Sequence, residues 1–120
     1  QQPIIVQEYV REARGQDLRI IVVGDRAVAA MLRKSGGDFR SNIHRGGTGT
    51  AVTLDAETER IAIEATRCLG LRVAGVDVLE SDRGPLLLEV NSSPGLEGIE
   101  GATNIDVANE IISEVERISD

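Results

Sequence analysis

The strongest constraint on the fold of this chain comes from two short stretches in which apolar side chains occupy every second position. They cover residues 73–80 and 85–91, and a polar connection that ends in Gly84 separates them. Period-two alternation is typical of strands with one buried face, and a short glycine-containing connection joins two such strands as a hairpin. The alternation therefore predicts an antiparallel pair with one face packed on helices. The predicted packed face carries Ala74, Val76, Val78, Leu86, Leu88 and Val90.

Further strands are predicted in the first part of the chain. Residues 18–23 are rich in β-branched side chains, and Gly24 with Asp25 separates them from residues 26–31, which alternate again. This order predicts a second hairpin. Residues 4–10 predict one more strand.

Two amphipathic stretches predict helices. Asp55 is a suitable N-cap for a helix over 56–69 that ends before Gly70. A last helix is predicted to begin near Thr103, with Asp106 three residues further on, as in a capping box. Their predicted buried faces carry Ile61, Ala62, Ala65, Cys68 and Leu69 on the first helix and Ala108, Ile111, Ile112, Val115 and Ile118 on the second. Hairpins combined with two helices favour an α+β fold, a largely antiparallel sheet backed by helices.

Two glycine-rich segments, residues 35–50 and 92–102, lack a periodic apolar pattern and predict loops. A loop as long as the first is usually functional or disordered. Around it lie His44 and the cations Arg26, Arg33, Lys34, Arg40 and Arg45. Glycine lets backbone amides approach a ligand closely and guanidinium groups match phosphate oxygens, so one interpretation is an anion-binding loop. The other is a solvated loop with unrelated arginines.

The composition restricts the class of protein. The 120 residues suffice for one domain, and aromatic residues make up only 2%, so Ile, Val, Leu and Ala must fill the core. The net charge of −7 argues against general nucleic-acid binding, and the apolar runs are too short to span a membrane. The single cysteine, Cys68, excludes an internal disulfide framework, favours the reducing cytoplasm and is expected to be buried.

The predicted hairpin of residues 73–91 carries carboxylates on its other face. A three-residue loop over 82–84 would place Asp77 directly opposite Glu89, with Asn91 two residues further along the same strand. Facing carboxylates repel each other, and three oxygen-bearing side chains suit Mg²⁺ or Mn²⁺, which also bind phosphates. With the basic loop, this metal site would complete a nucleoside-triphosphate site. The alternative interpretation is a polar sheet face on which Asp77 pairs with a neighbouring arginine.

Four strings of residues carry a family resemblance. VQEYV, GDFRSNIHRGG, AGVDVL and LLLEVNSSPGLEGIE occur in this order. With them the chain resembles the C-terminal part of ATP-grasp ligases, and most closely that of RimK-type α-L-glutamate ligases. The spacing of Asp77, Glu89 and Asn91 is that of ATP-grasp enzymes in general, while RSN-x-HRGG and NSSPGLEGIE point to the RimK-like branch. The resemblance covers essentially the whole chain and implies the C-terminal ATP-grasp subdomain.

A nucleotide site is implied by this resemblance. The strand around Glu8 and Tyr9 would meet adenine through its backbone, and the carboxylate of Asp17 would bind the ribose hydroxyls. Contacts to the nucleotide or its metal-bound phosphates would come from Arg40, Ser41 and Asn42.

The resemblance also implies a metal and a reaction. One or two Mg²⁺ or Mn²⁺ ions would be bound by Asp77, Glu89 and Asn91. ATP would activate a carboxylate as an acyl phosphate for attack by the amine of glutamate. The acyl phosphate would be stabilised by Arg45, Arg33 and Arg19. The expected partners are therefore ATP, glutamate and a carboxylate acceptor, with neither nucleic acid nor membrane, and a homo-oligomer of the full-length enzyme is left open.

Ligases of this type are longer and carry an N-terminal substrate domain and a central lid with phosphate-binding lysines. Residues 1–120 are therefore expected to be one domain, the C-terminal half of the fold, which folds alone, binds metal–nucleotide weakly and does not ligate. The expected acceptor is the C-terminus of a ribosomal protein. A small metabolite, as in cofactor glutamylation or lysine biosynthesis, is the nearest alternative, and a non-catalytic binding module that retains the fold is the alternative from another class.

Overall fold

The predicted hairpins join in one antiparallel sheet. The computed structural model describes residues 16–34, 49–81 and 84–119. In these residues the strands are β1 (Gln16–Val23), β2 (Arg26–Lys34), β3 (Gly49–Ala51), β4 (Val73–Ser81) and β5 (Gly84–Asn91). The helices are α1 (Ala56–Cys68), α2 (Glu97–Thr103) and α3 (Val107–Ser119). The strand order is β3-β2-β1-β4-β5 and all neighbours are antiparallel, which confirms the predicted α+β fold.

The first hairpin, β1–β2, forms where the sequence predicts it. Val23 lies opposite Arg26, so Gly24 and Asp25 form the connection. An extra residue in β2, Val28, shifts the register by one near the turn. The further strand predicted over residues 4–10 lies outside the described residues.

The second hairpin, β4–β5, reaches the predicted register by a different route. Ser81 pairs with Gly84, so the connection has two residues instead of the predicted three, and Gly84 has a φ of 96°, which favours glycine. A bulge then adds one residue, Leu88, to β5 and restores the register, so Asp77 lies opposite Glu89 as predicted. Between the turn and the bulge, the side chains of β5 lie on the opposite face of the sheet from the one predicted for them. Leu87, rather than Leu86, therefore shares a face with Val78 and is exposed.

A hydrophobic cluster lies on each face of the sheet. On one face α1 covers the even-numbered positions of β1 and β4. The fully buried members there include Ile20, Val22, Ala62, Ala74, Val76 and Val78. On the other face α2 and α3 cover one end of the sheet. The buried members there are Ile21, Val23, Ala29, Met31, Ile99 and Val107. The opposite end of this second face carries the charged residues described below.

Helix α1 begins after Asp55 as predicted, and of its predicted buried face Ala62 is buried whereas Cys68 and Leu69 are exposed. The carboxylate of Asp55 accepts a hydrogen bond from the Thr58 amide (2.8 Å), and this bond lowers the pKa of Asp55. The buried positions are Thr58, Ala62 and Thr66, whose small side chains let the helix approach the sheet. Cys68 is exposed, which corrects the expectation that it is buried.

The last helix begins at Val107 and not near Thr103 as predicted, because Thr103 ends α2 and Asp106 is the N-cap. The Asp106 carboxylate accepts a hydrogen bond from the Asn109 amide (3.0 Å). Of the helix's predicted apolar face, Ile111 packs against the core, whereas Ile112, Val115 and Ile118 are exposed. Glu114 takes the buried position instead, because Arg117 and Arg72 neutralise its carboxylate (2.7 and 3.4 Å). Hydrogen bonding by Arg117 holds the pKa of Glu114 below its ordinary value.

Two predicted loops contain regular structure. Gly49–Ala51 forms β3 on the edge of β2, and Glu97–Thr103 forms α2. Neither element shows a periodic apolar pattern in the sequence. β3 has only three residues, and α2 buries a single side chain, that of Ile99. Among the described residues, no helix is both long enough and apolar enough to cross a membrane.

Candidate active site

Charged side chains form a row across β2, β1, β4 and β5. Asp17 in β1 lies opposite Arg33 in β2, and two residues along β1 Arg19 lies opposite Asp77 in β4. Asp77 in turn lies opposite Glu89 in β5. Because directly paired residues point to the same side of a sheet, these side chains share one face. We call Asp17, Arg19, Arg33 and Asp77 the charged cluster.

The deepest part of the charged cluster is a two-pronged ion pair. Arg33 Nε donates to Asp17 Oδ1 (2.9 Å) and Arg33 Nη2 donates to Asp17 Oδ2. Both side chains are buried. Burial raises the pKa of the Asp17 carboxyl above its ordinary value, and the hydrogen bond and charge of Arg33 offset this only in part. Charge neutralisation by Arg33 therefore allows a buried aspartate at this position.

Asp77 occupies the centre of the cluster. Arg19 binds it with two nitrogens, Nε to Oδ1 and Nη2 to Oδ2 (3.1 Å). Arg33 Nη2 also lies 3.4 Å from Asp77 Oδ1. One face of the sheet thus holds two buried carboxylates between two guanidinium groups. The arrangement matches the interpretation in which Asp77 pairs with a neighbouring arginine.

Two further oxygen-bearing side chains complete the site. Glu89 is exposed and makes no hydrogen bond or ion pair within the described part of the chain. Asn91 Oδ1 accepts a hydrogen bond from the Ser93 amide (2.9 Å), which orients the side-chain amide. Among the described residues, no three His, Cys, Asp or Glu side chains come together as metal ligands. Asn91 follows Glu89 by two residues on β5, so its side chain shares a face with Glu89. Two carboxylates and an amide oxygen on one face fit a hard divalent cation that keeps several waters or phosphate oxygens.

The absence of a side chain at Gly75 makes room for this site. Gly75 lies opposite Asn91 and two residues before Asp77. A Cβ atom there would lie 2.8 Å from Cβ of Pro94 and 3.5 Å from Nη1 of Arg19. The segment after β5 therefore packs directly on the backbone of β4, next to the guanidinium of Arg19.

Substituting alanine for Gly75 is expected to lower the free energy of unfolding by about 1–3 kcal/mol, because Pro94 must move to relieve the overlap. Urea denaturation measures the loss, and NMR shifts of the amides around Pro94 report the displacement. Gly95→Ala is the matched control, since a Cβ at Gly95 meets no atom within 4 Å. Equal stability of both variants would contradict the close packing.

Comparison with known proteins identifies the family. A model of the RimK-like ATP-grasp domain matches residues 1–115. The chain belongs to the RimK-like ATP-grasp family. It is 58% identical over 115 residues to a probable alpha-L-glutamate ligase 1 of Shewanella amazonensis and 56% identical to a probable alpha-L-glutamate ligase of Pectobacterium carotovorum. In both cases the match covers 95% of this chain and 38% of the relative, so the chain spans well under half the length of these curated relatives.

Solved structures confirm the ATP-grasp fold. The ATP-grasp ligase PsnB, in complex with Mg, ADP and a phosphomimetic variant of its minimal precursor, superimposes with a TM-score of 0.73 at 22% identity. The match covers 88% of this chain and 33% of PsnB. The D-alanine–D-alanine ligase of Bacillus anthracis, in complex with ATP, gives a TM-score of 0.60 at 19% identity over 87% of this chain and 38% of that one.

The structure of this RimK-like chain brings together the predicted site residues that it describes. They are Asp17, Arg19, Arg33, Asp77, Glu89 and Asn91, all on the face shared with α2 and α3. The other predicted site residues lie outside the described residues, and their roles stay predictions. These are Glu8, Tyr9, Arg40, Ser41, Asn42 and Arg45.

One contact escaped prediction. Arg19 was a candidate only for acyl-phosphate stabilisation, whereas the structure places it against Asp77. The spacing of two between Asp17 and Arg19 puts both side chains on one face of β1, but it does not show that β4 pairs with β1 there.

Proposed function

We propose that this chain supplies the metal- and phosphate-binding part of an ATP-dependent carboxylate–amine ligase in the cytoplasm, which adds glutamate to the C-terminus of a ribosomal protein. The observation that carries the proposal is the pairing of Asp77 with Glu89, with Asn91 beside them, in a chain of the RimK-like ATP-grasp family. The glutamate ligase names of the relatives support the choice of amine.

The proposed metal ligands are Asp77, Glu89 and Asn91. When bound, Mg²⁺ or Mn²⁺ would neutralise and orient the phosphate groups of ATP. Glu89 is open to such an ion, because it is exposed and has no cationic partner within the described residues. The carboxylate of Asp77 is less accessible to such an ion than that of Glu89, because three nitrogens of Arg19 and Arg33 lie around its two oxygens.

The remaining roles follow the same proposal. Arg33, which bridges Asp17 and Asp77, would face the developing charge of the transferred phosphoryl group together with Arg45. Asp17 would bind the ribose hydroxyls through the lone pairs that Arg33 leaves free, since each of its oxygens accepts one hydrogen bond from that side chain. Adenine and phosphate contacts would come from Glu8, Tyr9, Arg40, Ser41 and Asn42.

The proposed reaction has two steps. An oxygen of the acceptor carboxylate attacks the γ-phosphorus of ATP, and ADP leaves. The amine nitrogen of glutamate then attacks the acyl carbon, inorganic phosphate leaves, and the nitrogen loses a proton to form the amide. The protein contributes position and charge neutralisation and needs no covalent nucleophile.

The test uses the full-length protein with ATP, Mg²⁺ and glutamate, and offers ribosomal proteins or small carboxylate metabolites as acceptors. We expect ADP release that requires both glutamate and a ribosomal protein, and a mass increase of one glutamyl residue at the C-terminus of that protein. Glutamylation of a metabolite alone would replace the acceptor and leave the chemistry intact. Absence of acceptor-dependent ADP release with every acceptor would contradict the ligase proposal.

A further inference from the structure

Arg19 lies among the residues that the proposed function assigns to the metal. Its Nε and Nη2 atoms bind the two carboxylate oxygens of Asp77. Its Nη1 atom, which has no hydrogen-bond partner within the described residues, lies 3.5 Å from the position of a Cβ on Gly75, the residue opposite Asn91. The guanidinium therefore extends from Asp77 toward Asn91, over the surface on which a divalent cation would bind.

Charge balance makes this position unfavourable for a cation alone. The charged cluster contains two aspartates and two arginines, so it is neutral before any ion binds. Glu89 is the remaining proposed carboxylate ligand, and its single charge does not balance a divalent ion placed beside the guanidinium of Arg19. Anionic phosphate groups would supply the missing negative charge and would also accept a hydrogen bond from Nη1 of Arg19.

We propose that Arg19 is the resident counter-ion of Asp77 and makes binding of the divalent cation depend on the phosphates of the nucleotide. This inference rests on the proposed function, because it needs the metal ligands assigned there. Arg19 is then a positioning residue, which holds Asp77 in place when no metal is bound. The cation and the nucleotide each bind more tightly in the presence of the other, by the same factor.

The experiment measures Mn²⁺ affinity of the full-length protein by electron paramagnetic resonance, with and without ADP. In the wild type we expect weak binding of Mn²⁺ alone and a tightening of about 10-fold or more with ADP. Arg19→Gln is expected to bind Mn²⁺ alone about 10-fold more tightly and to lose most of the effect of ADP, since one positive charge beside the metal is removed. Arg60→Gln is the matched control, because it removes an exposed arginine that pairs with Glu64 on α1, outside the site.

A second measurement needs no variant and covers the case in which Arg19→Gln does not fold. The Nε–H proton of Arg19 donates to Asp77, so its NMR shift reports that contact. We expect the shift to change when Mg²⁺ and ADP are added together and to stay unchanged with Mg²⁺ alone. A change with Mg²⁺ alone, or equal Mn²⁺ affinity and equal ADP effect in the wild type and Arg19→Gln, would overturn the inference.

The same titrations separate failure of this inference from failure of the proposed function. Glu89→Gln removes a proposed metal ligand and leaves Arg19 and Asp77 intact. If Mn²⁺ binding is lost in Glu89→Gln but is equally coupled to ADP with and without Arg19, only the counter-ion role is wrong. If the wild type binds no Mn²⁺ in the presence of ADP, the metal site itself is wrong, and the inference with it.

Discussion

Replacement of Arg33 by methionine is expected to lower the free energy of unfolding by about 3–5 kcal/mol at neutral pH, the usual cost of removing one partner from a buried ion pair. Arg33 donates two hydrogen bonds to Asp17 and lies 3.4 Å from Asp77. Its removal leaves the Asp17 carboxylate buried without its counter-ion. Urea denaturation followed by circular dichroism measures the loss.

The pH dependence of this loss has a definite sign. Burial already raises the pKa of Asp17 in the folded wild type, although Arg33 opposes the rise. Without Arg33 the folded-state pKa of Asp17 rises further. A carboxyl whose pKa is higher in the folded state than in the unfolded state stabilises the folded state fully only below the unfolded-state pKa, about 4. This stabilisation is lost as the pH rises through the folded-state pKa. The destabilisation by Arg33→Met is therefore expected to be smaller in acid than at neutral pH.

Two controls make this prediction specific. Asp17→Asn in the Arg33→Met background removes the uncompensated carboxylate and is expected to recover most of the lost stability. Arg60→Met removes an arginine whose pair with Glu64 is exposed, and its expected effect is below about 1 kcal/mol. A pH-independent loss in Arg33→Met, unchanged by Asp17→Asn, would show that packing of the long arginine side chain matters and that its charge does not.

The parts of the fold that could be predicted from the sequence are those set by local pattern. Alternation and a glycine connection define each hairpin, and Asp55 defines the start of α1, because these signals act over a few residues. The register of Asp77 with Glu89 was also predicted, but from a three-residue loop. A two-residue connection and the bulge at Leu88 give the same pairing, since the two differences cancel.

The parts that could not be predicted depend on contacts between distant segments. Arg19 and Asp77 are 58 residues apart and meet only because β1 pairs with β4. Local periodicity does not determine which strands become neighbours in a sheet. The buried side of α3 was partly wrong for a similar reason, because Arg72, from another segment, reaches the Glu114 carboxylate together with Arg117 of the same helix.

Asp77→Asn is expected to weaken Mn²⁺ binding in the presence of ADP by roughly 100-fold or more, because Asp77 is a proposed direct ligand. Substituting a residue that only supports metal ligands typically costs about 10–100-fold in metal affinity. Asp77→Asn is also expected to lower the free energy of unfolding of the metal-free protein by about 1–2 kcal/mol, because Arg19 loses its charged acceptor. Repulsion between facing carboxylates alone would predict the opposite, a gain in stability. Titration with Mn²⁺ and urea denaturation of the metal-free protein measure the two effects.

Glu89→Gln separates the two roles of Asp77. Glu89 is exposed and has no ion pair within the described residues, so its substitution is expected to change the stability of the metal-free protein by less than about 0.5 kcal/mol. Its effect on Mn²⁺ affinity is nevertheless expected to be as large as that of Asp77→Asn, because both carboxylates face the same ion. If Asp77→Asn lowers stability and neither variant changes Mn²⁺ affinity, Asp77 is a structural partner of Arg19 and the cation binds elsewhere. Equal losses of affinity with unequal losses of stability mean that one aspartate serves both the metal-free sheet and the metal, and that Arg19 must share its carboxylate when the metal binds.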